Sequence, residues 1–272
     1  MDQTTPPARE ILVHSLLAFW ADAGVDCLYQ DEATDRIAAG LNPPPRRVEA
    51  VAAPLRATPG PPEANSDALA TAKALAEQAQ DLTSLAAAIA GFEGCSLRFD
   101  GAATRAVFAR GPANAPVMII GEAPGADEDA RGEPFVGRAG QLLDRMLAAA
   151  GLTDRVFITN TVFWRPPGNR TPTPAEQAVC APFVARAIAL VQPKMLLLVG
   201  GASAKAMLQR DEGILAMHGR WFEWRSEDEG MELPAMPTLH PAFLLRQPAA
   251  KKKAWSDLVS LVQRLDRPDR PH

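Results

Sequence analysis

Residues 117–147 read VMIIGEAPGADEDARGEPFVGRAGQLLDRML. The run Val117–Ile120 is continuously apolar and β-branched, with none of the alternation of a half-wetted strand. Such a run suits a strand buried on both faces, the kind found in parallel sheets. It stops at Gly121-Glu122. A Pro-Gly turn and three further acids follow, Asp127, Glu128 and Asp129, and then GQLLDRMLAAAGL at helical spacing. A buried strand, a tight turn and an amphipathic helix predict one β-loop-α unit, with its carboxylates on the loop at the strand's C-terminal end.

The same alternation continues. RAVFARG, VFITNTVFW, KMLLLVGG and PAMPTLH are short apolar runs. PAEQAVCAPFVARAIALV, ASAKAMLQR and KKKAWSDLVSLVQRL between and after them have helical patterns. Strands alternating with helices predict a three-layer α/β/α sandwich with a mostly parallel central sheet. RWFEWRSEDEGMELPAMPTLH has no helix between its apolar ends, which predicts a late antiparallel pair. Ligands of such sheets gather at the C-terminal strand ends, near a topological switch point. There the runs deliver Glu122, Asn160, Gly200 with Gly201, and His240, the last held between Leu239 and Pro241.

Ahead of this lies a different composition. Residues 9–29 have apolar side chains at helical spacing, and residues 40–66 are rich in Pro and Ala without a period. These patterns predict a helical segment over 1–40, an extended linker over 41–66 and a catalytic domain over 67–272, opening with one long or two short Ala-rich helices. Residues 1–90 carry 6 basic and 12 acidic side chains, and the remainder 22 and 20, so the formal charge of −4 sits mostly in the leading segment. This balance permits a nucleic-acid partner without suggesting one. No apolar run approaches the roughly 18 residues of a membrane span, and the N-terminus lacks a signal-peptide pattern, so a cytoplasmic protein without membrane attachment is expected. Cys27, Cys95 and Cys180 are too few and too scattered for a disulfide framework.

GEAPGADEDARG is neither the Gly-x-Gly-x-x-Gly of a dinucleotide loop nor a P-loop, and its negative charge disfavours a phosphate. Its oxygens would suit Mg²⁺ or Ca²⁺, but EF-hand spacing is absent and no metal is expected. Taken together, GEAPGADEDARGEPFVGRAGQLL, ITNTVFWRPPGNRTPTPAE and PTLHPAFLLRQP resemble, in order, the motifs of the uracil-DNA glycosylase superfamily, and of its family 4 type in particular. The resemblance runs from about Gly91 to Leu265.

That resemblance implies a monofunctional enzyme that flips uracil out of DNA and hydrolyses its glycosidic bond, leaving an abasic site. Gly121, Ala123 and Gly125 of the first motif would line the uracil pocket. His240 would donate a hydrogen bond to the departing base at O2, a contribution of about 3–4 kcal/mol for such donors. Asn160 would read the uracil edge, donating to O4 and accepting from N3–H. Phe135 would stack on the base. Glu122 and Glu128 match the family's two motif-one glutamates and are the catalytic candidates beside His240. Glu122 would act through its side chain or fix the loop, and Glu128 would close the pocket against the thymine methyl or place the water. The best-known members have an Asp where this chain has Ala123, an absence shared by family 4. Asp127 and Asp129 are expected to be solvated or to cap a helix. Arg165, Asn169, Arg170 and Arg246 would contact DNA, with Leu244 or Leu245 as a wedge in the stack.

The pattern breaks at one place. Family 4 holds a [4Fe–4S] cluster on four cysteines, and only the positions of Cys95 and Cys180 keep a thiol here, with Phe92 and Trp164 at the other two. Loss of the cluster, and hence no cofactor, is the expectation. Uracil-containing DNA is the expected partner of a monomer, and the N-terminal segment is a candidate tether for a repair or replication partner. Two other readings stay open: a non-catalytic or trapping module for damaged DNA, and a glycosylase for another deaminated base such as hypoxanthine.

Overall fold

Four parallel strands bring their C-terminal ends to one edge, and the rest of the fold keeps them there. In the computed structural model, which describes residues 66–226 and 230–266, the six-stranded sheet has the order β1-β3-β2-β4-β6-β5. Its strands are β1 (Ala109–Arg110), β2 (Val117–Gly121), β3 (Val156–Asn160), β4 (Met195–Val199), β5 (Phe222–Arg225) and β6 (Glu232–Thr238). The inner four are parallel and the two edge strands antiparallel. The late antiparallel pair expected from sequence is β5 with β6.

Nine α-helices are described: α1 (Ser66–Gln78), α2 (Leu82–Gly91), α3 (Ala126–Arg131), α4 (Arg138–Ala149), α5 (Pro174–Val191), α6 (Gly201–Leu208), α7 (Ile214–Met217), α8 (Pro241–Arg246) and α9 (Lys251–Asp266). The Ala-rich stretch is thus two helices. The first ends at Gln78, and Asp81 caps the second, its side chain accepting from the Ser84 N–H at 2.7 Å. The expected helix over 1–40 and most of the expected linker lie outside the described residues.

The continuous apolar runs are explained by burial on both faces. Met118, Ile120, Leu196 and Leu198 point into one cluster with α1, α2 and α5. Their neighbours Val117, Ile119, Leu197 and Val199 point into another with α4 and α9. This is the period-2 alternation of strands, with each side finding its own apolar layer. Among the described residues, α5 is long and apolar enough to cross a membrane by length and composition alone, although Glu176, Gln177 and Arg186 interrupt its apolar run. Its apolar residues Val179, Phe183, Val184 and Ile188 are instead in the core beneath the sheet. The run RAVFARG yields only a two-residue strand, because Gly111-Pro112 ends the antiparallel pairing with β3.

The acids after β2 divide their work. Asp129, expected at the surface or as a cap, is buried at 4% exposure. Its oxygens accept from the Thr104 N–H and hydroxyl, both at 2.8 Å, and from the Arg105 N–H at 3.4 Å. It ties α3 to the segment leading into β1. Bonds to a buried carboxylate are worth about 1.5–3 kcal/mol each, and their loss leaves donors unpaired. Asp129→Ala is therefore expected to lower unfolding stability by about 2–4 kcal/mol in urea titration. Loss of less than about 0.5 kcal/mol would contradict the staple.

Candidate active site

The register of β2 and β3 sets the site. Gly121 and Asn160 are paired residues at the C-terminal ends of these strands. His240 follows β6 by two residues and caps α8. A cleft of about 650 Å³ opens over these ends, and its lining includes Glu122, Ala123, Gly125, Glu128, Phe135, Asn169, Arg170, His240 and Arg246. Three of the six sequence-expected DNA contacts, Asn169, Arg170 and Arg246, thus share one cleft with the expected catalytic groups. Asn160 is not itself among the lining residues; it is buried beside Gly121, with its side chain close to the ring of Phe135, which does line the cleft.

Asn160 is 1% exposed, and its Oδ1 is the one buried side-chain oxygen or nitrogen among the described residues without a hydrogen-bond partner. Such an atom costs about 1–3 kcal/mol unless a ligand satisfies it. Gly121 makes room for it. A Cβ on Gly121 would collide with Asn160 Oδ1 and with the Phe135 ring. Amide edge and aromatic face thus converge on the backbone of Gly121, framing a slot of the kind a planar ring would fill. The ring of Phe135 also lies 5.8 Å from that of His240, tilted by 32°.

His240 is electrically neutral by construction. Burial, then the positive charge of Arg246, lower its pKa to about 4, against a smaller opposing pull from Glu128. Its Nδ1 accepts the Ala242 N–H at 3.1 Å, as an N-cap does. With Nδ1 an acceptor and the ring neutral, the proton sits on Nε2, which is left to donate. Behind it, Thr238 at the end of β6 donates to the buried Asp257 of α9 at 2.8 Å.

Glu122 is half-buried on the cleft wall, and Thr161 Oγ1 donates to its main-chain oxygen at 2.7 Å. Its carboxylate has no hydrogen bond among the described residues, unlike that of Glu128. Glu128 Oε2 accepts from the Gly125 N–H at 3.0 Å, and Oε1 from the Val136 and Gly137 N–H groups, both at 2.9 Å. Three backbone donors make Glu128 a brace of the loop.

One expected DNA contact is corrected. Leu244 is fully buried among Leu142, Leu239 and Ala254, where it anchors α8 and thereby His240, so it has no free surface to wedge into a stack. Leu245 is half-buried against the same group. Arg170 is held by Glu176 through two bonds of 2.7 and 2.8 Å, with Asp100 at 3.9 Å. Burial pushes the Glu176 carboxyl up, but the Arg170 bonds, with the Thr173 N–H, outweigh it and hold the group below its usual range. Arg170 therefore braces the start of α5 as it lines the cleft. Arg165 donates to Asn169 at 2.8 Å, and Arg246 is exposed. Phe243 and Arg138 also line the cleft. Neither was singled out from sequence, although Phe243 lies three residues after His240 and hence on its helical face.

Comparison with known proteins agrees with this geometry. A family model described as the Uracil DNA glycosylase superfamily matches residues 108–259. The chain belongs to the uracil-DNA glycosylase superfamily. It is 41% identical over 148 residues to a Type-4 uracil-DNA glycosylase of Pyrobaculum aerophilum, covering 53% of this chain and 74% of that protein. It is 38% identical over 164 residues to the Type-4 enzyme of Sulfurisphaera tokodaii (58% and 74% covered) and 36% over 145 residues to that of Thermotoga maritima (53% and 73% covered). The superfamily match begins at Phe108 and ends at Val259, so it spans all six strands and every lining residue named above.

The type corrects the expectation of no cofactor. Type-4 members carry a [4Fe–4S] cluster, so similarity at 35–41% identity stands against assigning this chain as cofactor-free. Four thiolates hold such a cluster. The described residues offer two, Cys95 and Cys180, with their sulfurs 4.0 Å apart in an apolar cluster that includes Phe92 and Trp164. Among the described residues, no group of three or more His, Cys, Asp or Glu is placed to hold a metal, and Cys27 lies outside them. On their own these residues do not fit the cluster.

A neutral His240 donor has a direct consequence for pH. Protonation near pH 4 would add charge to the cleft and break the Nδ1 cap. The kcat/KM of uracil excision is therefore expected to hold as pH falls from 8 to about 5 and to drop near 4. An acid limb at about 6.5, the ordinary histidine value, would contradict a buried neutral ring.

Proposed function

We propose that this cleft removes uracil from DNA by hydrolysis of the bond between N1 and C1′, with each side chain in a distinct role. The observation that carries the reading is the orphaned, buried oxygen of Asn160 close to Phe135, whose ring lies 5.8 Å from that of a neutral His240 with a free N–H. The target base must leave the stack, since the bond is inaccessible in a duplex. Phe135 stacks on the extruded ring. Asn160 Oδ1 accepts N3–H and its amide donates to O4. Cytosine has no N3–H and carries an amino donor at position 4, so it leaves the oxygen unpaired and sets donor against donor. A dry polar site rejects such a mismatch strongly.

As the bond breaks, its electrons pass to the base, whose negative charge spreads over O2 and O4. His240 Nε2–H donates to O2 and stabilises that charge. The sugar becomes an oxocarbenium-like cation, and water adds its oxygen to C1′. Glu122, the half-buried carboxylate on the cleft wall without a hydrogen-bond partner among the described residues, holds that water and opposes the cationic charge. The water's proton passes to solvent, the uracil anion takes up a proton from solvent, and the products are uracil and an abasic site. Neither nucleotide hydrolysis nor a lyase step enters. Arg165 and Arg246 meet phosphates, which makes binding salt-dependent. A single chain suffices, because every role above falls to residues of one copy. The tether role of the N-terminal segment rests on its composition alone.

Single-turnover cleavage of an oligonucleotide bearing one uracil, developed with alkali, tests the assignment. His240→Ala is expected to slow excision by about 10²–10³-fold, the loss typical of an oxyanion-hole donor. Asn160→Ala is expected to slow uracil excision and to narrow its preference over cytosine. Wild-type rates in both variants would sink the roles. Retention of uracil-DNA without cleavage by the wild-type protein would instead indicate a trapping module.

A further inference from the structure

Phe135 has backbone φ of +56°, the left-handed region that non-glycine residues seldom occupy. A conformation of this kind is unfavourable and persists only where its surroundings hold it. Here the hold comes from two sides and from two charges. Glu128 takes the Val136 and Gly137 N–H groups. Opposite it, Arg110 of β1 donates from Nε to the Pro134 carbonyl at 2.8 Å and from Nη2 to the Phe135 carbonyl at 3.2 Å. Arg110 is itself oriented by Asp144 of α4, at 2.6 Å. Gly140, on the first turn of α4, completes the seat, since a Cβ there would collide with the Phe135 carbonyl.

We propose that Arg110 is a positioning residue for excision. It does not line the cleft, and it acts by clamping the two carbonyls that set where the Phe135 ring stands over Gly121 and Asn160. This rests on the reading of Phe135 as the platform for the flipped base. A guanidinium fork can hold two adjacent carbonyls while paired to a carboxylate, whereas a lysine ammonium is a point charge without that planar geometry. Because the clamp spans β1, α4 and the loop, it fixes the ring relative to the sheet edge that carries Asn160. The slot then exists before any base enters it, and base binding need not order the loop.

The test compares Arg110→Met, Arg110→Lys, Gly140→Ala and Phe135→Leu in the full chain. Three readouts are taken well below each variant's melting temperature: the single-turnover rate on uracil-DNA, the rate against substrate concentration, and the Kd for DNA with a stable abasic-site analogue. That analogue has no base to stack, so its affinity reports folding and backbone contacts without the platform. Arg110→Met is expected to slow excision about 10–100-fold, as a misplacement near 1 Å does, with abasic-DNA affinity within about twofold of wild type. Arg110→Lys is expected to fall between. Gly140→Ala should reproduce the defect, and the double variant with Arg110→Met should fall short of the product of the two single losses. Asp144→Asn, at a half-exposed position, is expected to give a smaller defect of the same kind and serves if the others fold poorly.

A wild-type rate in Arg110→Met and Asp144→Asn, with Phe135→Leu slowed, would overturn the clamp and leave the platform standing. Equal losses of rate and of abasic-DNA affinity would overturn it too, by making Arg110 a general stability residue. A wild-type rate in Phe135→Leu would overturn the platform reading, and the clamp with it.

Discussion

A buried amide oxygen without a partner is the constraint around which this fold is arranged. Asn160 Oδ1 lies at the end of β3, beneath Phe135 and against the backbone of Gly121. Its unmet bond costs about 1–3 kcal/mol in the ligand-free protein. The parallel pairing of β2 with β3 tolerates that cost because it is buried on both faces by apolar layers. The same pairing places the amide beside Gly121 and under Phe135, whose ring lines the cleft. In the proposed function, stability given up at this one atom becomes selectivity when a ring with the complementary edge arrives, the usual exchange at preorganised sites.

The charges nearby follow a division of labour. Four acids crowd the loop after β2, and two of them are consumed in structure. Asp129 holds the segment before β1, and Glu128 takes three backbone N–H groups. Asp127 is exposed. Glu122 alone combines a half-buried place on the cleft wall with an unengaged carboxylate. The like-charge cluster is thus mostly dispersed into hydrogen bonds. His240 shows the complementary strategy, for burial and Arg246 keep it uncharged, so that it can donate without adding a cation.

Much of this was legible in the chain. The apolar runs ending in Glu122, Asn160 and His240 announced a parallel sheet and the edge on which the site would form, because strand burial and chain direction are written in pattern. The roles of polar residues within loops were less visible. Arg170 and Leu244 looked free in sequence, yet one is bound to Glu176 and the other is packed among Leu142, Leu239 and Ala254. Arg110 and Asp144 are 34 positions apart, and nothing local marks them as partners. Side-chain pairing across such separations is decided by tertiary packing, which composition and period do not encode. The cofactor was misjudged for a related reason. Counting Cys95 and Cys180 measured only what this chain supplies, whereas the Type-4 relatives carry a cluster.

The most direct measurement is equilibrium competition by free bases. Uracil and cytosine differ at the edge Asn160 faces, and neither carries a phosphate, so backbone contacts cannot mask the comparison. The account predicts that uracil inhibits excision, that cytosine at the same concentration does not, and that Asn160→Ala removes the difference. Equal inhibition by both bases, or a difference that survives Asn160→Ala, would contradict it.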